Sequence, residues 1–130
     1  MNFYVIAPHN SDPEFQHKKE IVNKAATRQG VTAVFAIERL QNFNSEESLI
    51  MLKNADFVIA DLSCERPSCY YEVGYAQALR KPVILIASLG TQLHQVKDRS
   101  DVRFFKDLAD YQILIDSILD ARVIAQAQMA

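Results

Sequence analysis

Apolar residues gather in four short, nearly continuous runs: Phe3-Tyr4-Val5-Ile6-Ala7, Ala33-Val34-Phe35-Ala36-Ile37, Phe57-Val58-Ile59-Ala60 and Val83-Ile84-Leu85-Ile86-Ala87. A strand with one wet face alternates apolar and polar residues. A run without alternation is covered on both faces, as strands inside a parallel sheet are. Between the runs the pattern turns helical, over residues 13–29, 45–54 and 68–80, with Gly30 placed to end the first helix as a C-cap. Strands alternating with helices through short connections predict an α/β fold with a doubly wound parallel sheet of four to five strands. After Ala87 the pattern blurs: residues 89–100 are polar and irregular, 104–113 hold a short last strand, and 114–128 read as a terminal helix with Ile118, Leu119 and Ile124 inward. No repeat, linker or low-complexity segment interrupts the chain, which reads as one domain over residues 1–130.

Composition narrows the partners. A chain of 130 residues can bury a core of its own. With 14 basic and 16 acidic side chains, a net charge of −2 and no basic stripe, neither nucleic acid nor an anionic membrane is an expected partner. A small molecule is. Cys64 and Cys69 have no second pair and no histidine beside them, which is too little for zinc and unlike a secreted disulfide framework. They read as reduced thiols, and neither a metal nor a bound cofactor is expected. The opening MNFYVIAPHN has no basic region or cleavage site, and no apolar run approaches the roughly 18 residues of a membrane span, so the expectation is a cytoplasmic protein.

In open parallel sheets, ligands bind beyond the carboxyl ends of the strands. Those segments are Pro8-His9-Asn10-Ser11, Glu38-Arg39, residues 61–68 and Ser88-Leu89. Only 3 glycines occur, in neither a G-x-G-x-x-G nor a G-x-x-x-x-G-K-S/T arrangement, so no glycine-rich loop cradles a phosphate. The third segment is the richest: Asp61 and Ser63 at the strand end, then Arg66, then Ser68 as a helix N-cap with Glu72 in the first turn. A carboxylate there faces the positive end of the helix dipole, which favours its ionised form by up to roughly 1 kcal/mol. Fixed and ionised at a ligand crevice, Glu72 can attack as a nucleophile or stabilise a cationic sugar; as a plain helix-start residue it does neither. Gly74 costs a helix interior about 1 kcal/mol and marks a place where a backbone or ligand comes close. Other candidates carry two readings each. Asp61 binds a ribose hydroxyl or caps its loop, His9 contacts a base or is merely exposed, and Arg66 forks onto an anion or is a solvated loop charge. Tyr70, Tyr71 and Tyr75 stack on a base or roof the sheet.

The stretch NADFVIADLSCERPSCYYEVGYAQALRKPVILI, residues 54–86, resembles the nucleoside 2-deoxyribosyltransferase-like family, which is related to deoxynucleotide N-hydrolases and TIR-like domains. The shared features are a buried strand ending in Asp-Leu, a variable loop, Glu-x-Gly-Tyr-Ala and a Lys-Pro-led strand. FYVIAPHN is similar to the family's first strand and its Pro-containing loop. The resemblance implies a flavodoxin-like sheet and cleavage or transfer at the N-glycosidic bond of a (deoxy)nucleoside or nucleotide. It implies Glu72 as the nucleophile at the anomeric carbon and Tyr4 as the residue that positions it. Around them, the enzyme reading sets Asp61, Ser63 and Ser68 at the sugar, Pro8 and His9 in the first loop, and Arg66 for a phosphate. Relatives commonly assemble as homo-oligomers.

Two departures bear on the reaction. Transferases proper carry an acid eight residues before the position of Asp56 and another six before the nucleophile, where this chain has Ser48 and Arg66. Glu47 and Glu65 stand one residue away as substitutes, but on the helix that carries Glu47 one residue turns a side chain by about 100°, which counts against Glu47. Base exchange is therefore left open, beside hydrolysis and a non-catalytic nucleotide-sensing module of the same fold.

Overall fold

The computed structural model describes residues 1–8, 10–35, 45–96 and 98–129. Each apolar run becomes a strand: β1 (Asn2–Ile6), β2 (Thr32–Phe35), β3 (Phe57–Asp61) and β4 (Val83–Ser88), joined by a fifth, β5 (Val102–Phe105). They pair in parallel in the order β2-β1-β3-β4-β5, the flavodoxin-like order, with the winding direction reversing between β1 and β3. The helices are α1 (Phe15–Gln29), α2 (Ser45–Asn54), α3 (Pro67–Ala78) and α4 (Leu108–Met129). Among the described residues, no helix is long and apolar enough to cross a membrane.

Backbone alternation divides the core in two. Along β1, Phe3 and Val5 point to the face covered by α1 and α4, where they join Val22, Ile115, Ile118 and Leu119. Tyr4 and Ile6 point the other way, to α2 and α3, where they join Leu52, Val73 and Ala76. Burying each large apolar side chain contributes about 1.5–3 kcal/mol, so both faces of every inner strand are committed to packing. A tyrosine at position 4 is thereby delivered to the α2/α3 face, beside Val34 and Val58 of the neighbouring strands.

Helix ends follow local chemistry. Gly30 takes a left-handed φ of 69°, its N–H bonding Thr27 and that of Val31 bonding Ala26, which closes α1 as a Schellman motif. The start of α3 differs from the sequence expectation. Pro67 occupies the first helical position, its ring presetting φ, and Arg66 is the N-cap without a side-chain capping bond. Ser68 is therefore not the cap, and Glu72 sits in the second turn, away from the dipole's reach. Gly74 lies on the outer side of α3, where, apart from the helix's own backbone, no atom of the described residues comes within 4 Å of a Cβ position, so no approach of another described segment requires it. The last helix begins six residues before the expected 114, because Asp107 accepts the Asp110 N–H at 2.8 Å while Asp110 accepts the Lys106 N–H at 2.8 Å. Ile124, expected inward, is exposed on α4, whereas Ile118 and Leu119 are buried. His9, Glu38, Arg39 and the end of the second apolar run lie outside the described residues.

Candidate functional site

Tyr4 and Glu72 meet on the α2/α3 face. The strand supplies a phenol at a fully buried position, and α3 supplies a carboxylate roughly 8 Å below its start, by the rise of a helix. Tyr4 Oη donates to Glu72 Oε2 at 2.8 Å across 68 residues of sequence. Both residues are buried, Glu72 retaining 8 % exposure and Tyr4 none. Burial raises the Glu72 pKa above the ordinary carboxyl range, and the Tyr4 hydrogen bond opposes that rise. This replaces the dipole-stabilised carboxylate expected from a first-turn position. Burial, reinforced by the Glu72 charge, raises the Tyr4 pKa in turn, while a hydrogen bond with Ser48 pulls it back. The phenol is thus a proton donor at all physiological pH, and Ser48 stands at the pair.

Neighbouring nucleophile candidates are quenched. Cys69, buried beside this pair, is pushed up to about 12 by burial and then by the Glu72 and Asp61 charges, which keeps it a neutral thiol. Cys64 is raised for the same first reason. Thiol attack is not what this site is built for.

The loop between β3 and α3 is held by its own polar groups. Asp61, 1 % exposed, accepts Lys18 Nζ on one oxygen at 2.9 Å, and the Ser63 amide at 3.0 Å and the Ser63 hydroxyl on the other. Ser63 Oγ accepts the Ser88 N–H at 2.9 Å, which fastens the loop to the end of β4. Glu65 takes a left-handed φ of 49°, and its carboxylate receives the His94 N–H at 2.6 Å, His94 Nδ1 at 2.6 Å and Tyr70 Oη at 2.7 Å. The His94 amide first, and then Tyr70, hold Glu65 down at about 2. Glu65 is thus engaged with His94 and Tyr70. Arg66 and Ser68 are exposed at the mouth of α3, and Pro8 is buried with its carbonyl receiving the Ser11 and Asp12 amides at 3.1 and 3.0 Å.

Sequence reasoning passed over Lys18 and Asp12. Lys18 is buried, donates to Asp12 at 2.5 Å as well as to Asp61, and lies 5.0 Å from the centre of the Phe105 ring. Burial works against its charge, yet Asp61 and Asp12 outweigh it and raise the pKa. A signal existed: Phe15, Lys18, Val22 and Ala25 share the inward stripe of α1, and a lysine on such a stripe needs a buried counter-ion. A concavity of about 590 Å³ opens beside this cluster, lined by Asp12, Lys18, Ser63, Cys64, Ser88 and Phe105 among others, on the α1/α4 side of the sheet.

The chain matches no protein-family model and no curated protein. Solved structures do share its fold. A CMP N-glycosidase of Clostridium botulinum superposes with a TM-score of 0.68 at 15 % identity, covering 89 % of this chain and 98 % of its own. A 2-deoxyribosyltransferase of Leishmania mexicana gives 0.64 at 16 %, covering 88 % and 97 %. One from Bacillus psychrosaccharolyticus gives 0.57 at 17 %, covering 86 % and 90 %. At these identities the likeness is one of fold, and it extends over nearly the whole of both chains.

Proposed function

We propose that this protein cleaves the N-glycosidic bond of a nucleoside or nucleotide, with Glu72 as nucleophile and Tyr4 orienting it, in the manner of the nucleoside 2-deoxyribosyltransferase-like family. The observation that carries the reading is the 2.8 Å bond between a buried strand tyrosine and a helix carboxylate. It lies in a fold shared with a CMP N-glycosidase and two deoxyribosyltransferases. Glu72 attacks the anomeric carbon, a C–O bond forms, and the C–N bond breaks with its electron pair leaving on the base. Water, or a second base, then attacks the same carbon and returns the carboxylate. Tyr4 occupies one Glu72 oxygen and, among the described residues, leaves the other to attack, and one neutral phenol compensates the charge weakly enough to keep the carboxylate reactive.

Arg66 and Ser68, exposed at the start of α3, are the groups available to a 5'-phosphate, and Pro8 shapes the first loop. Position 48 holds a serine, position 66 an arginine, and the neighbouring Glu65 carboxylate is taken up by His94 and Tyr70, so these positions do not supply the acids of transferases proper, which favours water over a second base as acceptor. The experiment is chromatographic. Wild type and Glu72→Gln are incubated with deoxynucleosides, CMP, deoxynucleoside 5'-monophosphates and NAD, with and without an acceptor base, and free base is measured. Release by wild type, lost by several orders of magnitude in a folded Glu72→Gln, is the expected result. No release from any substrate, together with thermal stabilisation by one of them, would replace the enzyme by a nucleotide-sensing module.

A further inference from the structure

Lys18 has no part in the chemistry at Glu72, yet it is a buried charge that the fold must compensate. An ammonium on the inward stripe of a helix, over the rings of Phe105 and Tyr111, loses its hydration, and an apolar residue of similar volume would fill that space at less cost. What the lysine provides is a counter-ion for Asp61. That carboxylate stands at the last residue of β3 and is the hub of the loop that follows. Its second oxygen accepts both donors of Ser63, and the Ser63 hydroxyl oxygen in turn receives the Ser88 amide. The tie continues, since Ser88 Oγ and Thr91 Oγ1 share a hydrogen bond of 2.9 Å and Arg99 binds the Thr91 carbonyl at 2.9 Å. Glu65, in the same loop, grips His94. Leu93 and Val96 then pack against the core that contains Tyr4. A charge buried behind the sheet is thereby connected to the segments in front of it.

We infer that Lys18 is a positioning residue which, acting through Asp61 and Ser63, fixes the 62–66 and 88–94 loops around the face where Tyr4 meets Glu72. On this assignment Asp61 and Ser63 serve the substrate by shaping its surroundings, because the 1 % exposure of Asp61 leaves no room for a ribose hydroxyl. The functional half of the inference rests on the N-glycosidic reading; the mechanical half does not.

The test joins amide hydrogen exchange with kinetics on the 130-residue chain. Ser63→Ala removes the link without leaving a buried charge, Lys18→Met removes its origin, and Lys18→Arg preserves the charge. Ser63→Ala and Lys18→Met are expected to speed exchange of the Ser88 and His94 amides about tenfold relative to the Ile115 and Ile118 amides, with Lys18→Arg recovering most of the protection. On whichever of the deoxynucleosides, CMP, the deoxynucleoside monophosphates or NAD the wild type cleaves, Ser63→Ala lowers kcat/KM about tenfold with the melting temperature held within about 2 °C. Loop amides that move only in step with the Ile115 and Ile118 amides in Ser63→Ala would overturn the inference, even if Lys18→Met fails to fold. Normal kcat/KM in a Ser63→Ala protein with loosened loops would overturn its functional half. A wild type that cleaves none of these substrates would defeat the glycosidic reading, and the exchange data would still decide the latch.

Discussion

Glu72 is a carboxyl pulled two ways, toward its neutral form by burial and toward its charge by Tyr4. Burial wins, and attack needs the anion, so the acid limb of the pH–kcat/KM profile for base release is expected above the ordinary glutamate value of 4.5. Tyr4→Phe removes the opposing bond and should carry that limb to still higher pH while lowering the plateau; an unmoved limb would mean that another group sets it. The same raised pKa has a stability sign. Its contribution is full below the unfolded pKa and is lost as pH rises through the folded one, so Glu72 supports folding less at pH 8 than in acid. Glu72→Gln is therefore expected to melt no lower than wild type at pH 8, as a thermal scan would show, although it abolishes turnover. The pairing of these residues was legible from motif resemblance, but the direction of the pKa shift was not. That direction comes from burial, which the tertiary packing sets, and the expected dipole support was lost because Arg66, not Ser68, is the N-cap of α3, which leaves Glu72 in the second turn.

At the scale of elements, α3 carries two backbone choices at odds with helix physics. Gly74 occupies an open outer position where, apart from the helix's own backbone, no atom of the described residues comes within 4 Å of a Cβ position, and Gly74→Ala is expected to raise stability by about 0.5–1 kcal/mol in urea unfolding. A loss instead would show that something outside this chain sits against that face. Just past the helix, Arg80 holds a left-handed φ of 59°, with its N–H bonding Gln77 at 2.9 Å and that of Lys81 bonding Ala76 at 3.0 Å. Glycine is the residue for that geometry, so Arg80→Gly is expected to gain up to about 1 kcal/mol by the same measurement. Where polarity and period agreed, as in residues 45–54, the helix was read to its ends. The start of α4 was misplaced because its cap is made by aspartates, Asp107 and Asp110, in a stretch whose Phe104 and Phe105 had drawn the strand reading forward.

Across the whole molecule, the continuous apolar runs revealed a parallel sheet but could not say which residue faces which layer, because a strand buried on both sides is apolar everywhere. The same blindness hid Lys18, whose partners on β3 and in the loop after Pro8 only the topology brings together. The two cores that result should separate stability from activity. Ile118→Ala behind the sheet and Leu52→Ala in front of it each empty a buried site and are expected to cost about 2–5 kcal/mol in denaturant. At a temperature where both variants remain folded, only Leu52→Ala, in the cluster that holds Tyr4, is expected to lower base release. Finally, the phenol and the carboxylate stand 68 residues apart on the chain and become neighbours only when α3 docks on β1. A nascent polypeptide emerging from the ribosome therefore carries Tyr4 long before it carries Glu72. On the proposed reading, the nucleotide pool around it is exposed to no half-made catalyst during synthesis.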